Sequence, residues 1–328
     1  MQNETKLLVL VIPCLNEADL LTHALTHIDR VAQQHAIHHR MTHRLIVVND
    51  GSTDETALVL DTLSQRMPSL QVLHFTRNFG KEAALLAGLQ ASLQWPQTQL
   101  VLTLDADLQH PPELIANMLQ AHAQGYAVVE AVKQMRGHES LSRRWLAKPF
   151  YSLFERWSGL PLQGHTDFKL LHVDVVRQLL QMPERGRFFR GLIAWLGFAS
   201  AQIPFDVPDR AGGQSRWSAL QLLAYAWSNL LTFSTKPLQL ISWLGAAGLA
   251  VGLVGASKAV WDLLTGQALS GFTTVILLQI IFGSLTLIVL GLLGQYLGRI
   301  HEELKCRPHY ILQPRVDTAP PPTPDPAP

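Results

Sequence analysis

Two aspartates one residue apart follow an apolar run in the stretch LTLDADLQHPPELI, which covers residues 102–115. Asp105 and Asp107 repel each other when both are ionised, and a nearby cation relieves that repulsion. Mg²⁺ commonly binds one or two carboxylates and completes its coordination shell with water and phosphate oxygens. The pair therefore indicates a divalent-metal site beside a diphosphate, whose charge the metal would neutralise as a leaving group forms. The competing interpretation is a helix N-cap, for which Asp107 or His110 ahead of the two prolines is suitable.

The metal hypothesis depends on the elements that carry these residues. Residues 1–135 alternate short apolar segments, partly β-branched, with segments that repeat apolar residues at helical spacing. This alternation predicts β-α-β units and a parallel sheet covered by helices on both faces. The predicted strands are Leu7–Ile12, Leu45–Val48, Val72–Phe75 and Leu100–Leu104, and the predicted helices are Ala18–Gln34, Glu55–Arg66, Glu82–Leu93 and Pro112–Gln124.

Polar segments follow all four predicted strands. They read PCLNEA (13–18), NDGSTDET (49–56), TRNFGKEAA (76–84) and DADLQH (105–110). Because ligands bind outside the carboxyl ends of parallel strands, four polar ends at one edge predict a binding site there. Neither GxGxxG after the first strand nor GxxxxGK[ST] anywhere is present, so a nucleotide would bind by a different arrangement from the dinucleotide and P-loop sites.

The composition narrows the class of protein. The 328 residues include 26 Lys and Arg against 25 Asp and Glu, a net charge of +1. This balance argues against a nucleic-acid-binding protein, which carries a basic excess. Cys14 and Cys306 lie near opposite ends of the chain, which indicates a reducing compartment and argues against a disulfide framework or a zinc site. The first apolar run is too short for a secretory signal, so we expect the N-terminus to stay in the cytosol.

Uncharged apolar segments dominate the chain after Lys236. No charged residue occurs from Pro237 to Ser257, nor between Asp262 and Arg299. A helix of about 23 residues covers roughly 35 Å, enough for the roughly 30 Å hydrocarbon core of a bilayer. We therefore predict a transmembrane hairpin with spans at about 237–260 and 271–298. Two buried core helices are the alternative, which such long uncharged runs disfavour.

The basic residues around this hairpin predict its orientation. Lys236 precedes it and Arg299 follows it, whereas the linker WDLLTGQALSG has no Lys or Arg. The positive-inside rule then places both termini and the N-terminal domain in the cytosol, with the protein crossing the membrane more than once. The predicted domains are an α/β domain at 1–215, an amphipathic juxtamembrane helix at 216–236, the hairpin at 237–298, and a cytosolic tail at 299–328 with a disordered Pro-rich end.

Two further segments combine basic and aromatic residues with an apolar stripe. They are RRWLAKPFYSLFERW (143–157) and RWSALQLLAYAWSNLLTFSTK (216–236). Such segments are typical of helices that lie in the plane of the membrane interface. Packing of both against the core of the α/β domain is the alternative.

Several motifs together resemble a known family. The family 2 glycosyltransferases with the GT-A fold, a Rossmann-like, mixed and mainly parallel α/β sheet, carry motifs similar to VIPCLNEA, VVNDGSTDET, RNFGKEAALLAGL and LDADLQHPPELI. The polyprenyl-phosphate glycosyltransferases, the dolichol-phosphate-mannose-synthase-like branch, have segments similar to TDFKLL, RFFRGLIAWLG and RAGGQSRWS. Two C-terminal spans followed by GQYLGRIHEELKCRPHYIL are similar to the bacterial subgroup that acts on undecaprenyl phosphate. The resemblance extends from about Leu8 to Leu312.

The resemblance implies roles for individual residues. Those implied to hold the base and ribose, or to lie near the nucleotide, are Pro13, Asn16, Glu17, Asp50, Arg77, Gly80 and Lys81. Those implied at the Mg²⁺ or Mn²⁺ ion, the diphosphate and the sugar are Asp105, Asp107, Gln109, Asp167, Arg210, Ser215 and Arg216, of which Asp105, Asp107, Asp167 and Arg210 are the expected catalytic residues. Structural roles are the alternative: a turn cap for Asp50, a surface position for Arg77 and a loop cap for Asp167.

The acceptor phosphate is expected at the segment AVKQMRGHESLSRRWLAKPFY. The candidates there are Lys133, Arg136, Arg143 and Arg144. Lys133 stands where relatives commonly carry Arg, Ala147 replaces a frequent Ser, and Arg216 replaces a frequent Lys. Because Lys is a point charge and Arg a bidentate fork, the arginines would supply most of the phosphate recognition.

The implied reaction is inverting transfer of a hexose, from UDP-glucose or UDP-N-acetylglucosamine, to undecaprenyl phosphate. The product would be a polyprenyl-phosphate-linked monosaccharide for cell-envelope glycan or lipid modification at the bacterial inner membrane. The acceptor phosphate has a second pKa near 6, so its oxygen is already anionic, and Asp167 would hold a sugar hydroxyl or assist as a base at most.

The implied partners are the nucleotide sugar, the polyprenyl phosphate, the membrane, a downstream flippase and a periplasmic glycosyltransferase. Glycine-rich spans such as GAAGLAVG would also let neighbouring copies pack into a homo-oligomer. Two alternative functions would leave different features in the sequence. A processive polysaccharide synthase would carry QxxRW and more spans, and a non-catalytic membrane scaffold would have lost the aspartate pair or the basic segment RAGGQSR.

Overall fold

The structure is a computed structural model that describes residues 5–133, 164–206, 236–265 and 271–314. Its strands are β1 (Lys6–Cys14), β2 (Met41–Asn49), β3 (Leu70–His74), β4 (Thr98–Thr103), β5 (Val128–Lys133), β6 (His165–His172) and β7 (Ser200–Phe205). Its helices are α1 (Ala18–His38), α2 (Thr56–Arg66), α3 (Lys81–Ser92), α4 (Leu114–Ala123), α5 (Val173–Gln181), α6 (Phe189–Leu196), α7 (Lys236–Leu264) and α8 (Phe272–Leu304).

One seven-stranded sheet organises the α/β domain, with strand order β3-β2-β1-β4-β6-β5-β7. Strands β1 to β4 pair in parallel, and β5 pairs in parallel with β7. Only β6 runs the other way among these strands, because it is antiparallel to both β4 and β5. The sheet is therefore mixed and mainly parallel, which confirms the predicted fold class. The carboxyl ends of β1 to β4 meet the start of β6 at one edge of the sheet.

Two apolar cores sandwich the sheet. Successive residues of β1 alternate between them: Leu8 packs into one core with helices α1, α2 and α4, and Val9 packs into the other with α3, α5 and α6. Because both faces are covered, the strands are apolar along most of their length, as expected of parallel strands. The four strands and four helices predicted within residues 1–135 are all present, with ends that shift by a few residues.

Helix α3 lies unusually close to the centre of the sheet. Residues 83–89 are all buried, and all seven are alanine, glycine or leucine. A Cβ atom added at Gly88 would lie 2.2 Å from Val11 Cγ1 on β1, which is far inside van der Waals contact. Gly88 thus allows α3 to approach the strand, and this contact fixes the position of the N-terminus of α3.

The C-terminal part contains the long helices α7, of 29 residues, and α8, of 33 residues. Within the described residues one stretch, Leu278–Leu304 in α8, is long and apolar enough to cross a membrane. Its large apolar side chains are exposed, as at Leu287 and Ile288. The second predicted span thus coincides with a suitable helix. The first falls in α7, and the two-helix hairpin stays a prediction.

Three predicted features lie outside the described residues. They are the basic and aromatic segment 143–157, nearly all of the juxtamembrane helix 216–236, and the Pro-rich end of the tail from residue 315. The domain boundaries at 215 and 216 lie there too, so they remain predictions.

Candidate active site

The loops after β1 and β2 hold each other at the carboxyl edge of the sheet. The Asn16 amide donates to Ser52 Oγ (2.9 Å), and the Thr53 amide donates to Asn16 Oδ1 (2.8 Å). Asn16 has a φ of 55°, a left-handed conformation that Asn tolerates better than most residues. The Glu17 amide donates to Thr56 Oγ1 at 3.0 Å. These bonds turn the chain so that Glu17 lies beside the acids that follow β4.

Asp50 holds the loop that follows β3. Its carboxylate accepts hydrogen bonds from the amides of Phe79 (2.7 Å) and Gly80 (2.9 Å). Gly51 has a φ of 67°, and a Cβ there would lie 2.2 Å from the carbonyl carbon of Arg77, so only glycine fits between the two loops. Burial raises the pKa of Asp50, and the amide hydrogen bonds oppose that rise. Asp50 therefore positions the backbone of the loop at residues 77–80 through these two amide hydrogen bonds.

Lys81, the first residue of α3, bridges two of the predicted catalytic acids. Its Nζ lies 2.6 Å from Asp105 Oδ1 and 2.8 Å from Asp167 Oδ2. Asp105 follows β4, and Asp167 lies near the start of the neighbouring antiparallel strand β6, so the sheet itself brings the two acids together. A lysine of the protein thus lies between Asp105 and Asp167 and reduces the repulsion between these two acids.

Arg190, on α6, binds Asp167 from the other side. Its Nε and Nη2 donate to the two carboxylate oxygens at 2.7 and 2.9 Å, a bidentate pair. Its Nη1 also donates to the carbonyl of His165 at 3.1 Å. The Asp167 carboxylate is 9% exposed and has two cations against it. Charge-assisted bidentate pairs are both strong and geometrically specific, so Asp167 is held in one orientation.

The charges of this cluster shift the pKa values in opposite directions. Burial would lower the pKa of Lys81, but Asp105 and Asp167 raise it well above its ordinary value. Burial would raise the pKa of Asp167, but Lys81 and Arg190 hold it far below its usual range. Glu17 behaves differently, because burial and the charges of Asp107 and Asp105 raise its pKa to about 7. Glu17 is thus near half-protonated at neutral pH.

The DADLQH turn is ordered by its own side chains. The Asp105 amide donates to His110 Nδ1 at 3.0 Å, and the Gln109 amide donates to Asp107 Oδ1 at 3.0 Å. Burial lowers the pKa of His110, whose ring stacks on Phe168 at 5.1 Å. Helix α4 begins later, after Glu113, and has no side-chain cap. The N-cap interpretation of Asp107 and His110 was therefore wrong.

The donor set fits a hard divalent cation that takes most of its ligands from elsewhere. Within the described residues no group of three or more His, Cys, Asp or Glu side chains is arranged to hold a metal ion. Mg²⁺ needs only one or two carboxylates when phosphate oxygens and water complete the shell, and Asp105 and Asp107 supply two. Glu17 Oε2 is buried and has no hydrogen-bond partner among the described residues. This oxygen could therefore accept a hydrogen bond from a ligand or from water on the metal ion.

The other predicted residues divide into three groups. Pro13 is buried within β1, one residue before the carboxyl end of the strand. Arg77 is exposed, with its guanidinium 4.1 Å from the Phe79 ring centroid, and its Nη1 donates to the Asn78 carbonyl at 3.2 Å. Lys133 lies at the end of β5 and faces the cluster. Burial and the charge of Arg190 lower its pKa, although Asp105 and Asp107 oppose that shift. The predicted residues outside the described ranges are Arg136, Arg143, Arg144, Arg210, Ser215 and Arg216.

Sequence reasoning missed two residues that shape the cluster. Arg190 lies in RFFRGL, which was noted only as a family motif. Glu82, next to Lys81, accepts the Phe189 amide at 2.9 Å, and burial together with Asp167 raises its pKa to about 7. Both link α6 to the edge of the sheet. The signal available in the sequence was a charged residue within an otherwise apolar helical segment.

A family comparison agrees with this geometry. Residues 9–180, just over half of the chain, match the family described as glycosyl transferase family 2. The chain belongs to this family. The match begins in β1 and ends in α5, so it includes Asp50, Lys81, Asp105, Asp107 and Asp167. This family 2 member is therefore a glycosyltransferase, and the acids and Lys81 of its charged cluster lie inside the shared region, whereas Arg190 lies just beyond it.

Individual relatives cover most of the chain. An uncharacterized glycosyltransferase of Synechocystis sp. is 35% identical over 93% of this chain and 94% of its own. A bactoprenol glucosyl transferase of Shigella phage SfII is 31% identical over 82% of this chain and 86% of its own. Among solved structures, a mannosyltransferase of Pyrobaculum calidifontis in complex with GDP-Man and Mn²⁺ is 18% identical, covers 87% of each chain and has a TM-score of 0.43, a likeness too low to support an inference about ligands.

Proposed function

We propose that this family 2 glycosyltransferase transfers a hexose from UDP-glucose or UDP-N-acetylglucosamine to a polyprenyl phosphate, with inversion at the anomeric carbon. One observation carries the proposal: the charged cluster and the end of the apolar helix α8 lie at the same edge of the sheet. Glu303, in the last turn of α8, accepts the Arg185 amide at 2.8 Å. Leu312, a few residues further on, pairs with Phe75 at the end of β3.

This arrangement suits a lipid acceptor. If α8 crosses the membrane, its end lies near the bilayer surface, and the carboxyl edge of the sheet then faces the headgroups. A polyprenyl phosphate cannot leave the bilayer, so a site at that edge is within its reach. The bactoprenol in the names of relatives such as the Shigella phage protein is a polyprenyl lipid, which supports the same acceptor class.

The charges of the cluster favour a diphosphate donor. Asp105 and Asp107 would hold Mg²⁺ or Mn²⁺, and Gln109 lies in the same turn. The ion, when bound, neutralises negative charge on the departing nucleoside diphosphate. Lys81 pairs with Asp105 at 2.6 Å and would turn toward the diphosphate when the metal takes its place beside the carboxylate.

Asp167 is better suited to orient the sugar than to remove a proton. Its pKa lies far below the ordinary range because Lys81 and Arg190 outweigh the effect of burial, and a carboxylate this acidic is a poor base. A base is also unnecessary, since the acceptor phosphate carries its nucleophilic oxygen already ionised. The protein's contribution is therefore positioning and charge stabilisation, with Lys133 near the acceptor phosphate.

The decisive experiment uses the full chain in lipid nanodiscs. It is incubated with undecaprenyl phosphate, Mg²⁺ or Mn²⁺ and a panel of UDP- and GDP-sugars, and the extracted lipid is analysed by mass spectrometry. We expect a mass increase of one hexose or one N-acetylhexosamine, with an axial-to-equatorial or reverse change at the anomeric carbon by NMR. Lipid that keeps its mass with every donor would refute the proposal, and growth by many sugars would favour a processive synthase.

A further inference from the structure

The chain returns to the sheet after its apolar helix. Residues 306–313, here called the return segment, leave α8 and run antiparallel to the end of β3. The Thr76 amide donates to the Ile311 carbonyl (3.0 Å), and the Gln313 amide donates to the His74 carbonyl (2.8 Å). Gln313 Nε2 also donates to the carbonyl of Phe75 at 3.2 Å. Strand β3 is an edge strand, so the return segment covers its upper end.

Side chains strengthen this docking at both ends. The Tyr310 ring stacks on Phe75, with centroids 5.0 Å apart, and its hydroxyl donates to Gln90 Oε1 on α3 at 2.5 Å. Where the segment leaves α8, Arg185 donates to the carbonyls of Glu302 and Arg307. The return segment is therefore attached to the α/β domain at Arg307 and again from Tyr310 to Gln313.

The residues it holds lead directly into the candidate donor site. Phe75, under the Tyr310 ring, also contacts Phe79 edge-on at 5.6 Å. The amides of Phe79 and Gly80 bind Asp50, and Lys81 follows at once with its bridge between Asp105 and Asp167. A continuous series of contacts thus runs from Tyr310 through Phe75 and Phe79 to Asp50.

We propose that the return segment is a positioning element, through which docking of the chain's own apolar helix fixes residues 77–81 and so completes the nucleotide-binding loop. The inference rests on the proposed function, because it takes the ligand of this loop to be a nucleoside diphosphate. Tyr310 and Gln313 act through Phe75 and Phe79, and they touch no substrate. Their loss therefore weakens donor binding and leaves the transfer step itself unchanged.

The test uses two matched pairs of full-length variants in nanodiscs. Gln313→Pro removes the backbone donor to His74, whereas Gln313→Ala keeps it. Tyr310→Ala removes the ring stacked on Phe75, whereas Tyr310→Phe removes only the hydroxyl. The second pair decides the matter if the proline variant does not fold.

Two measurements separate positioning from simple edge cover. Hydrogen exchange without ligand reports the amides of Phe79 and Gly80, and calorimetry with UDP and Mg²⁺ reports donor-site affinity. We expect Gln313→Pro and Tyr310→Ala to speed that exchange, to weaken UDP binding about tenfold, the loss of one good contact, and to raise the donor KM at constant kcat. Their matched controls should stay within about twofold of wild type.

Faster exchange confined to residues 74–76, with residues 79–80 and UDP affinity unchanged, would overturn the proposal and leave the segment as a cover for the edge strand. Failure of the proposed function gives a different result: wild type itself would bind no UDP, while the exchange comparison at Phe79 and Gly80 would still decide whether the segment positions the loop.

Discussion

Two ionic clusters lie two residues apart on β6. In the outer one, Asp167 binds Lys81 and Arg190, and Lys81 also binds Asp105. In the inner one, Lys169 Nζ lies 2.5 Å from Glu130 Oε1, and His165 Nδ1 lies 2.5 Å from Glu130 Oε2. The Lys81 side chain is 43% exposed and that of Lys169 is 0% exposed. The two lysines therefore make similar pairs in very different surroundings.

The difference shows how one strand can serve two purposes. The inner cluster is sealed, so its charges can only satisfy each other, and His165 and Lys169 outweigh burial to lower the pKa of Glu130 to about 2. The outer cluster lies at the sheet edge and is partly open to solvent, since the Asp105 side chain, like that of Lys81, is partly exposed, at 28%. Under the proposed function, this partly open cluster would receive the metal ion and the diphosphate.

The largest effect is expected at Asp107, which belongs to the outer cluster alone. Asp107→Asn removes one of two carboxylates proposed for the metal and should lower kcat by about 10³-fold with little change in thermal stability. Product formation by mass spectrometry measures it. Asp174→Asn, an exposed acid paired with Arg177 at the start of α5, is the matched control and should behave as wild type. Near-normal turnover in Asp107→Asn would remove the functional distinction between the clusters.

The inner cluster should respond in stability and not in chemistry. Lys169→Met leaves Glu130 charged and buried, which typically costs about 3–5 kcal/mol. Thermal unfolding in detergent should show a large fall in Tm, and the double change Lys169→Met with Glu130→Leu should restore much of it. A single variant that stays fully stable would show that the pair is not sealed.

A smaller effect is expected from Arg190→Lys. The positive charge stays near Asp167, but the bidentate geometry is lost, together with one charged hydrogen bond worth roughly 2 kcal/mol. We expect kcat/KM to fall about 30-fold. Arg187→Lys is the control, because the Arg187 guanidinium donates to the carbonyls of Met182 and Leu179 at the end of α5, away from Asp167. Equal losses in both variants would assign Arg190 a structural role.

The smallest effect concerns pH. The folded state raises the pKa of Glu17 from 4.5 to about 7 through burial and the charges of Asp107 and Asp105, so it binds the proton more tightly than the unfolded state does. The contribution of Glu17 to the free energy of unfolding is therefore fully present below pH 4.5 and is lost as the pH rises through 7. Glu17→Gln should reduce the fall in stability between pH 5.5 and 8 by about 1 kcal/mol. An unchanged pH profile of Tm would contradict this.

The sheet and the position of the site were predictable from the sequence because they depend on local patterns. Short apolar runs and helical apolar repeats fix the elements, and the polar residues after each strand then meet at one edge. Asp105 and Asp107 were identified in this way and Asp50 by family resemblance, and the structure places all three at that edge. The direction of β6 was not predictable by the same reasoning, since an antiparallel insertion depends on chain connections and not on the strand's own pattern.

The partners within the site were harder to predict. The sequence predicted a metal ion beside Asp105 and Asp107, and it gave no sign that Lys81, 24 residues earlier in the chain, bridges Asp105 and Asp167. Arg190 approaches from α6, whose position depends on packing against α5. Such pairings arise from tertiary packing, and nothing in the spacing of the residues specifies them. The docking of Tyr310 on Phe75 escaped notice for the same reason.

The tight contact at Gly88 has a consequence for how a donor could be received. Because Gly88 packs directly against Val11, α3 cannot slide along the sheet. The backbone of Lys81, its first residue, therefore keeps its position. If Lys81 Nζ exchanges one partner for another, it must do so by rotation about the carbon–carbon bonds of the Lys81 side chain. Rotation of the Lys81 side chain would let the cluster rearrange within nanoseconds, while helix α3 and the sheet keep their positions.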